Sequence, residues 1–89
     1  MAMKADSSII RSMKADAQKI ESRIGDAMEV ISNIYRRTSD WDDEVGMEFQ
    51  RVLHDIAASC ERPKASLHEA QPELETLAEL VDRYSHMTF

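Results

Sequence analysis

The sequence predicts an all-α fold, an antiparallel two-helix hairpin, on three observations. Apolar residues recur at steps of three and four through the first third of the chain. A short segment without apolar residues, Thr38-Ser39-Asp40, follows, and a second apolar stripe begins just beyond it. Glycine and proline occur only twice each in 89 residues, too few for a turn-rich β fold.

The first helix is expected over about residues 6–37. Asp6, Ser7 and Ser8 all offer good N-caps. Ile10, Met13, Ala17, Ile20, Ile24, Ala27, Ile31 and Ile34 then step by 3, 4, 3, 4, 3, 4, 3, an a/d heptad pattern. A strand would need period two and fails here. Arg36 and Arg37 suit the negative C-terminal end of the helix dipole.

Residues 38–40 read as a turn, and a connection this short makes the helices antiparallel neighbours. Ser39 or Asp40 can cap the second helix, expected over about 41–86, with Asp42, Asp43 and Glu44 in its first turn. Its stripe runs Trp41, Val45, Phe49, Val52, Ile56, then Cys60 or Ser59. It resumes at Leu67, Ala70, Leu74, Leu77, Val81 and Tyr84. Pro63 and Pro72 each remove a helical hydrogen bond. The second helix is therefore expected to be kinked or broken near Pro63, within 61–72. Residues 1–89 form a single helical-hairpin domain in this reading.

Composition narrows the functional classes. The net charge is −6, which argues against nucleic acid or an anionic membrane as partner. The charge is uneven: residues 1–37 carry net +2 and residues 38–89 net −8. No apolar run reaches the roughly 18 residues of a membrane span, so no membrane insertion is expected. One cysteine excludes an internal disulfide framework. His54, His68, His86 and Cys60 lack metal-ligand spacing, and no metal or cofactor is expected. The acids at 42, 43, 44 and 48 sit at a helix start rather than in a calcium loop. Neither a nucleophile elbow nor a phosphate loop occurs, and the chain is read as no enzyme.

Two features point to protein partners. Trp41 is the only tryptophan and stands at the turn, with Val45, Gly46, Phe49 and Ile56 following. It reads as a plug closing the hairpin tip and as an interface anchor, since Trp is enriched in hot spots. Ile9, Met28, Val30 and Tyr35 also widen the first helix beyond an a/d seam. A two-helix hairpin buries one face of each helix, so the surplus predicts dimerisation into a four-helix bundle. Ile20, Ile24, Ile31 and Ile34, with Leu74, Leu77, Val81 and Tyr84, are the expected bundle residues.

The stretch Trp41-Asp42-Asp43-Glu44-Val45-Gly46-Met47-Glu48-Phe49, after a long heptad helix and a short turn, resembles the WXG (Trp-X-Gly) superfamily. These are the small ESAT-type helical-hairpin proteins of type VII secretion systems. The segment is close to the Trp-X-Asp-X-X-X-X-X-Phe variant, and Pro72-X-Leu74 and Tyr84 fit variants of the superfamily. Founding members have Gly at the position of Asp43. The family's export signal, Tyr-X-X-X-Asp/Glu, reads Tyr84…Thr88 here. The resemblance implies a bacterial, non-enzymatic protein acting as secreted substrate or as targeting partner or chaperone of a larger effector. It implies a homodimer, or a heterodimer with another WXG-like or effector helical domain. It also implies synthesis in the cytoplasm and export by a signal-peptide-independent type VII route. Two alternatives stand beside it. One is a type III secretion needle-like subunit, whose family turns on a Pro-rich connector that residues 38–40 lack. The other is a cytoplasmic helical adaptor unrelated to secretion.

Overall fold

The computed structural model describes residues 6–85. Two long helices, α1 (Ser7–Arg37) and α2 (Glu44–Ser85), form an extended antiparallel hairpin, and no strand occurs among the described residues. The molecule measures 73 × 21 × 16 Å. That is two helices wide and little more than one deep, at about 10–12 Å per helix.

Both ends of α1 are satisfied locally. Asp6 caps α1: its Oδ1 accepts the Ser8 backbone N–H at 2.9 Å and the Ser8 hydroxyl at 2.7 Å. At the other end Thr38 returns its N–H to the Ile34 carbonyl at 3.1 Å and its hydroxyl to the same oxygen at 2.8 Å. The Gln50 side-chain amide then donates to the Thr38 carbonyl at 2.6 Å, tying α2 to the connector.

The start of α2 differs from the sequence expectation. The connector spans 38–43, Trp41 lies in it, and α2 begins at Glu44 rather than at 41. The cap is Asp43, not Ser39 or Asp40. Its Oδ1 accepts the Gly46 N–H at 2.7 Å, and its carbonyl accepts the first helical bond, from Met47, at 2.9 Å. A carboxylate three residues before an orphan N–H is the usual solution for a helix start. Ser39 is engaged elsewhere, donating to the Arg36 carbonyl at 3.0 Å.

Of the alternatives at Pro63, a break does not occur. α2 runs unbroken for 42 residues with Pro63 and Pro72 inside it. A proline deprives the carbonyl four residues earlier of its donor. Those residues are Ser59 and His68, both on exposed positions, as are the prolines themselves. Water can take the vacated bonds, while the opposite side of α2 stays packed on α1.

The seam between the helices is thin. Ala17, Leu53 and Ala78 are its buried hydrophobics among the described residues, Ala78 with no exposed surface at all. On α2 the buried and half-buried positions include Gly46, Gln50, Leu53, Ala57, Cys60, Lys64, Leu67, Gln71, Leu74, Ala78 and Val81. Their steps alternate 4 and 3 without a fault, across both prolines. On α1 they run Ile10, Lys14, Ala17, Glu21, Ile24, Met28 and Ile31, again 4 and 3. The expected α1 stripe is thus half the seam. Ile10, Ala17, Ile24 and Ile31 belong to it, but the alternate places go to Lys14, Glu21 and Met28 rather than to Met13, Ile20 and Ala27. Lys14, Lys64 and Gln71 can lay their methylene stems along the seam while their polar ends reach water or a partner.

Candidate protein-docking face

The offset seam makes the two flanks of the hairpin chemically different. At 100° per residue, a position one residue before each seam residue falls on one flank, and the following positions fall on the other. Because the helices are antiparallel, like offsets on both helices share a flank.

One flank is laced with polar bridges between the helices. The Arg11 guanidinium donates through Nη1 to Asp82 Oδ2 at 2.9 Å and through Nη2 to Glu75 Oε2 at 3.1 Å. Lys14 Nζ donates to Glu75 Oε1 at 3.2 Å. Glu21 accepts from the Gln71 amide at 2.5 Å and lies 3.1 Å from His68 Nδ1. These contacts hold the Glu75 carboxyl below its usual range, first through the Arg11 hydrogen bond and then through Lys14. Arg11 is correspondingly raised, chiefly by Asp82 and then Glu75.

The other flank is apolar and unpartnered. Near the open end of the hairpin, Met13, Ala17, Ile20, Leu67, Ala70, Leu74 and Leu77 line a groove of about 480 Å³, with Asp16 and Glu73 at its margins. Near the tip, Val45, Phe49 and Val52 line a second hollow beside Glu44 and Glu48. Val45 is 65% exposed and Leu77 50%, and Phe49, Val52 and Ile56 are also exposed. Val45, Phe49, Val52 and Ile56 step by 4, 3, 4. The stripe expected to face α1 along the first half of α2 is therefore this outward face. Leu53, one residue on, takes the core position instead.

Trp41 closes the tip. Its ring stands 5.6 Å from Phe49, centroid to centroid, with the planes tilted by 42°. It lies against Gly46 so closely that a Cβ there would come 2.4 Å from the Trp41 carbonyl oxygen and 2.5 Å from Cγ. Trp41 keeps 39% of its surface exposed, so it plugs the hairpin and still offers a face outward.

The structure gathers Trp41, Val45, Gly46 and Phe49 at the tip and places Ile56 further along the same flank. Ile24, Ile31, Ile34 and Val81 are half-buried on the hairpin's inner side, and Leu74 is half-buried in the open-end groove. Ile20 and Leu77 point outward into that groove. Tyr84 is 68% exposed and joins neither groove. The sequence reading missed Leu53, Ala57 and Ala78 as seam residues. It also missed a smaller apolar hollow on the bridged flank, lined by Met28, Ile31, Ser32, Tyr35, Leu53, His54 and Ala57. The signal was present as a second 4–3 series in α2, but Gln50, Lys64 and Gln71 interrupt it with polar side chains.

No group of three or more His, Cys, Asp or Glu side chains among the described residues could hold a metal ion. His54 and His68 are exposed and Cys60 is a half-buried free thiol, while His86 and Thr88 lie outside the described residues. No helix is long and apolar enough to cross a membrane among the described residues. Comparison with family models, curated proteins and solved structures finds no match for this chain.

Proposed function

We propose that the chain is a non-enzymatic docking protein of a type VII secretion pathway, WXG-like, serving as secreted substrate or as targeting partner of a larger effector. The observation that carries the docking reading is the two-sided hairpin. One flank is closed by interhelical polar bridges, and the other leaves a Val/Phe/Ile/Leu face open along both halves. Apolar surface so arranged marks a protein interaction site. A partner with an amphipathic helical face would complete a four-helix bundle on it. The Trp41–Phe49 pair at the hairpin tip supports the WXG-like assignment.

The same face would serve a cytoplasmic helical adaptor, and Thr88 in place of an acid four positions after Tyr84 favours that second reading. An export assay separates the two. The tagged chain and any co-purifying protein are followed in culture medium from native cells with the type VII ATPase intact and inactivated. ATPase-dependent appearance of either is the expected result. If neither leaves the cell with the ATPase intact, the secretion reading fails.

A further inference from the structure

The charge around the open face says which kind of chain covers it. The charged side chains lining its two hollows are Asp16 and Glu73 at the open end and Glu44 and Glu48 at the tip, all acidic. No ion pair engages Asp16, Glu44 or Glu73 among the described residues, and Glu48 is shared with Arg51. The cations of α1 nearest the open end, Arg11 and Lys14, are spent on the opposite flank, on Glu75 and Asp82. Arg23 and Arg37 repeat the heptad position of Asp16, on the same edge of α1, but line neither hollow. A second copy laid on this face would bring the same four acids and a further −6 of net charge. Like charges juxtaposed at an interface rim select against a partner, and opposite charges select for it.

We propose that the open face takes a different chain, an amphipathic helical segment whose apolar stripe is flanked by Lys or Arg. This rests on the docking reading above and narrows it to a heterologous, basic-rimmed partner. The aliphatic residues of the partner fill the hollows at Met13/Ile20/Leu74/Leu77 and Val45/Phe49/Val52. Its cations meet Asp16, Glu73, Glu44 and Glu48.

The test uses the full chain and two synthetic helical peptides of about four heptads with the same Leu/Ile stripe, one flanked by Lys and one by Glu. Light scattering of the chain alone comes first. The expected result is a monomer of 10.2 kDa across the concentration range. Calorimetric titration should then show the Lys-flanked peptide binding at least tenfold more tightly than the Glu-flanked one. In 1 M salt, where the screening length is about 3 Å, the preference should collapse. The triple variant Asp16→Lys, Glu44→Lys and Glu73→Lys should reverse it. Glu29→Lys with Glu61→Lys, each directly after a seam residue and so on the bridged flank, should leave it unchanged. Two results overturn the proposal in different ways. A stable dimer of about twice the chain mass that Phe49→Ser dissociates would mean a second copy covers the face, and the docking reading would survive. A monomer that binds neither peptide would remove both. Equal binding of the two peptides, or equal loss with the off-flank variant, would leave docking standing and remove the charge selection.

Discussion

Replacing Gly46 by Ala tests how the hairpin tip is built, because the two relevant effects have opposite signs. Gly46 is in the first turn of α2, where Ala ordinarily improves helix stability by up to about 1 kcal/mol. Here the new methyl would lie 2.4 Å from the Trp41 carbonyl oxygen, 2.5 Å from its Cγ and 2.7 Å from its Cδ1. Ordinary contacts between carbon atoms are about 3.5–4.0 Å, so the overlap is about 1 Å with both backbone and ring. A flexible side-chain end could swing aside, but a carbonyl in a six-residue connector cannot move alone. Overpacking of this kind costs about 1–3 kcal/mol. Displacing the indole also loosens its contact with Phe49, and such pairs contribute about 0.5–1.5 kcal/mol. The expected net effect is a loss of about 1–3 kcal/mol, at about 4–8 °C of melting temperature per kcal/mol in a domain of this size. Urea denaturation followed by circular dichroism reads the stability. The fluorescence of Trp41, the only tryptophan, reads the tip, and its emission should shift to the red. In a Trp41→Ala background the cost of Gly46→Ala should shrink, since the ring overlap is gone. A Gly46→Ala protein that melts higher than the parent, with unchanged emission, would refute the seating of Trp41 on Gly46.

Three further outcomes follow from the same geometry. Ala78→Leu puts a larger side chain where no surface is exposed and should cost about 1–3 kcal/mol, seen as a lower urea midpoint. Asp43→Ala removes the α2 cap and should cost about 0.5–2 kcal/mol, whereas Asp43→Asn should keep most of it. Glu75 has a folded-state pKa depressed from its ordinary value of 4.5, first by Arg11 and then by Lys14. Its stabilisation is therefore fully present above that value and is lost as pH falls through the depressed pKa. Melting curves from pH 6 to 2.5 should show Arg11→Ala losing less stability on acidification than the parent. Parallel curves would mean that the Arg11–Glu75 pair is not formed in solution.

The fold was legible because hairpin signals are local. The Asp6 cap, the 3–4 spacing through Ile34 and the absence of apolar residues at 38–40 each act within a few residues. The end of α1 and the antiparallel arrangement follow from them. The choice of seam was not legible, because each helix carries apolar residues at three places in the heptad and a hairpin can bury only two. Ile20 looks as good a core residue as Ile24, and Val52 better than Leu53 if polar neighbours count against a stripe. What decides is pairing across the helices: Lys14 with Glu75 and Glu21 with Gln71 make polar residues acceptable beside the seam. Such pairings need the partner helix and its register, which one helix's sequence does not contain. The cap at Asp43 was hidden in the same way, since Ser39, Asp40 and Asp43 are equally good in isolation. Trp41 at the tip was foreseen, but its contact with Gly46 depends on a connector three residues longer than the 38–40 turn.

The two stripes of α2 share one period, and this makes the molecule's length come in steps. Removing seven residues from each helix at matching levels would shorten the hairpin by about 10 Å and return every remaining side chain to its place. Inserting a single residue before Leu67 would turn everything beyond it by 100°. Ala70 and Leu77 would rotate into the inner row, and Gln71 and Ala78 would rotate out of it. Natural variation in length should therefore occur as paired multiples of seven, with single insertions confined to the connector at 38–43.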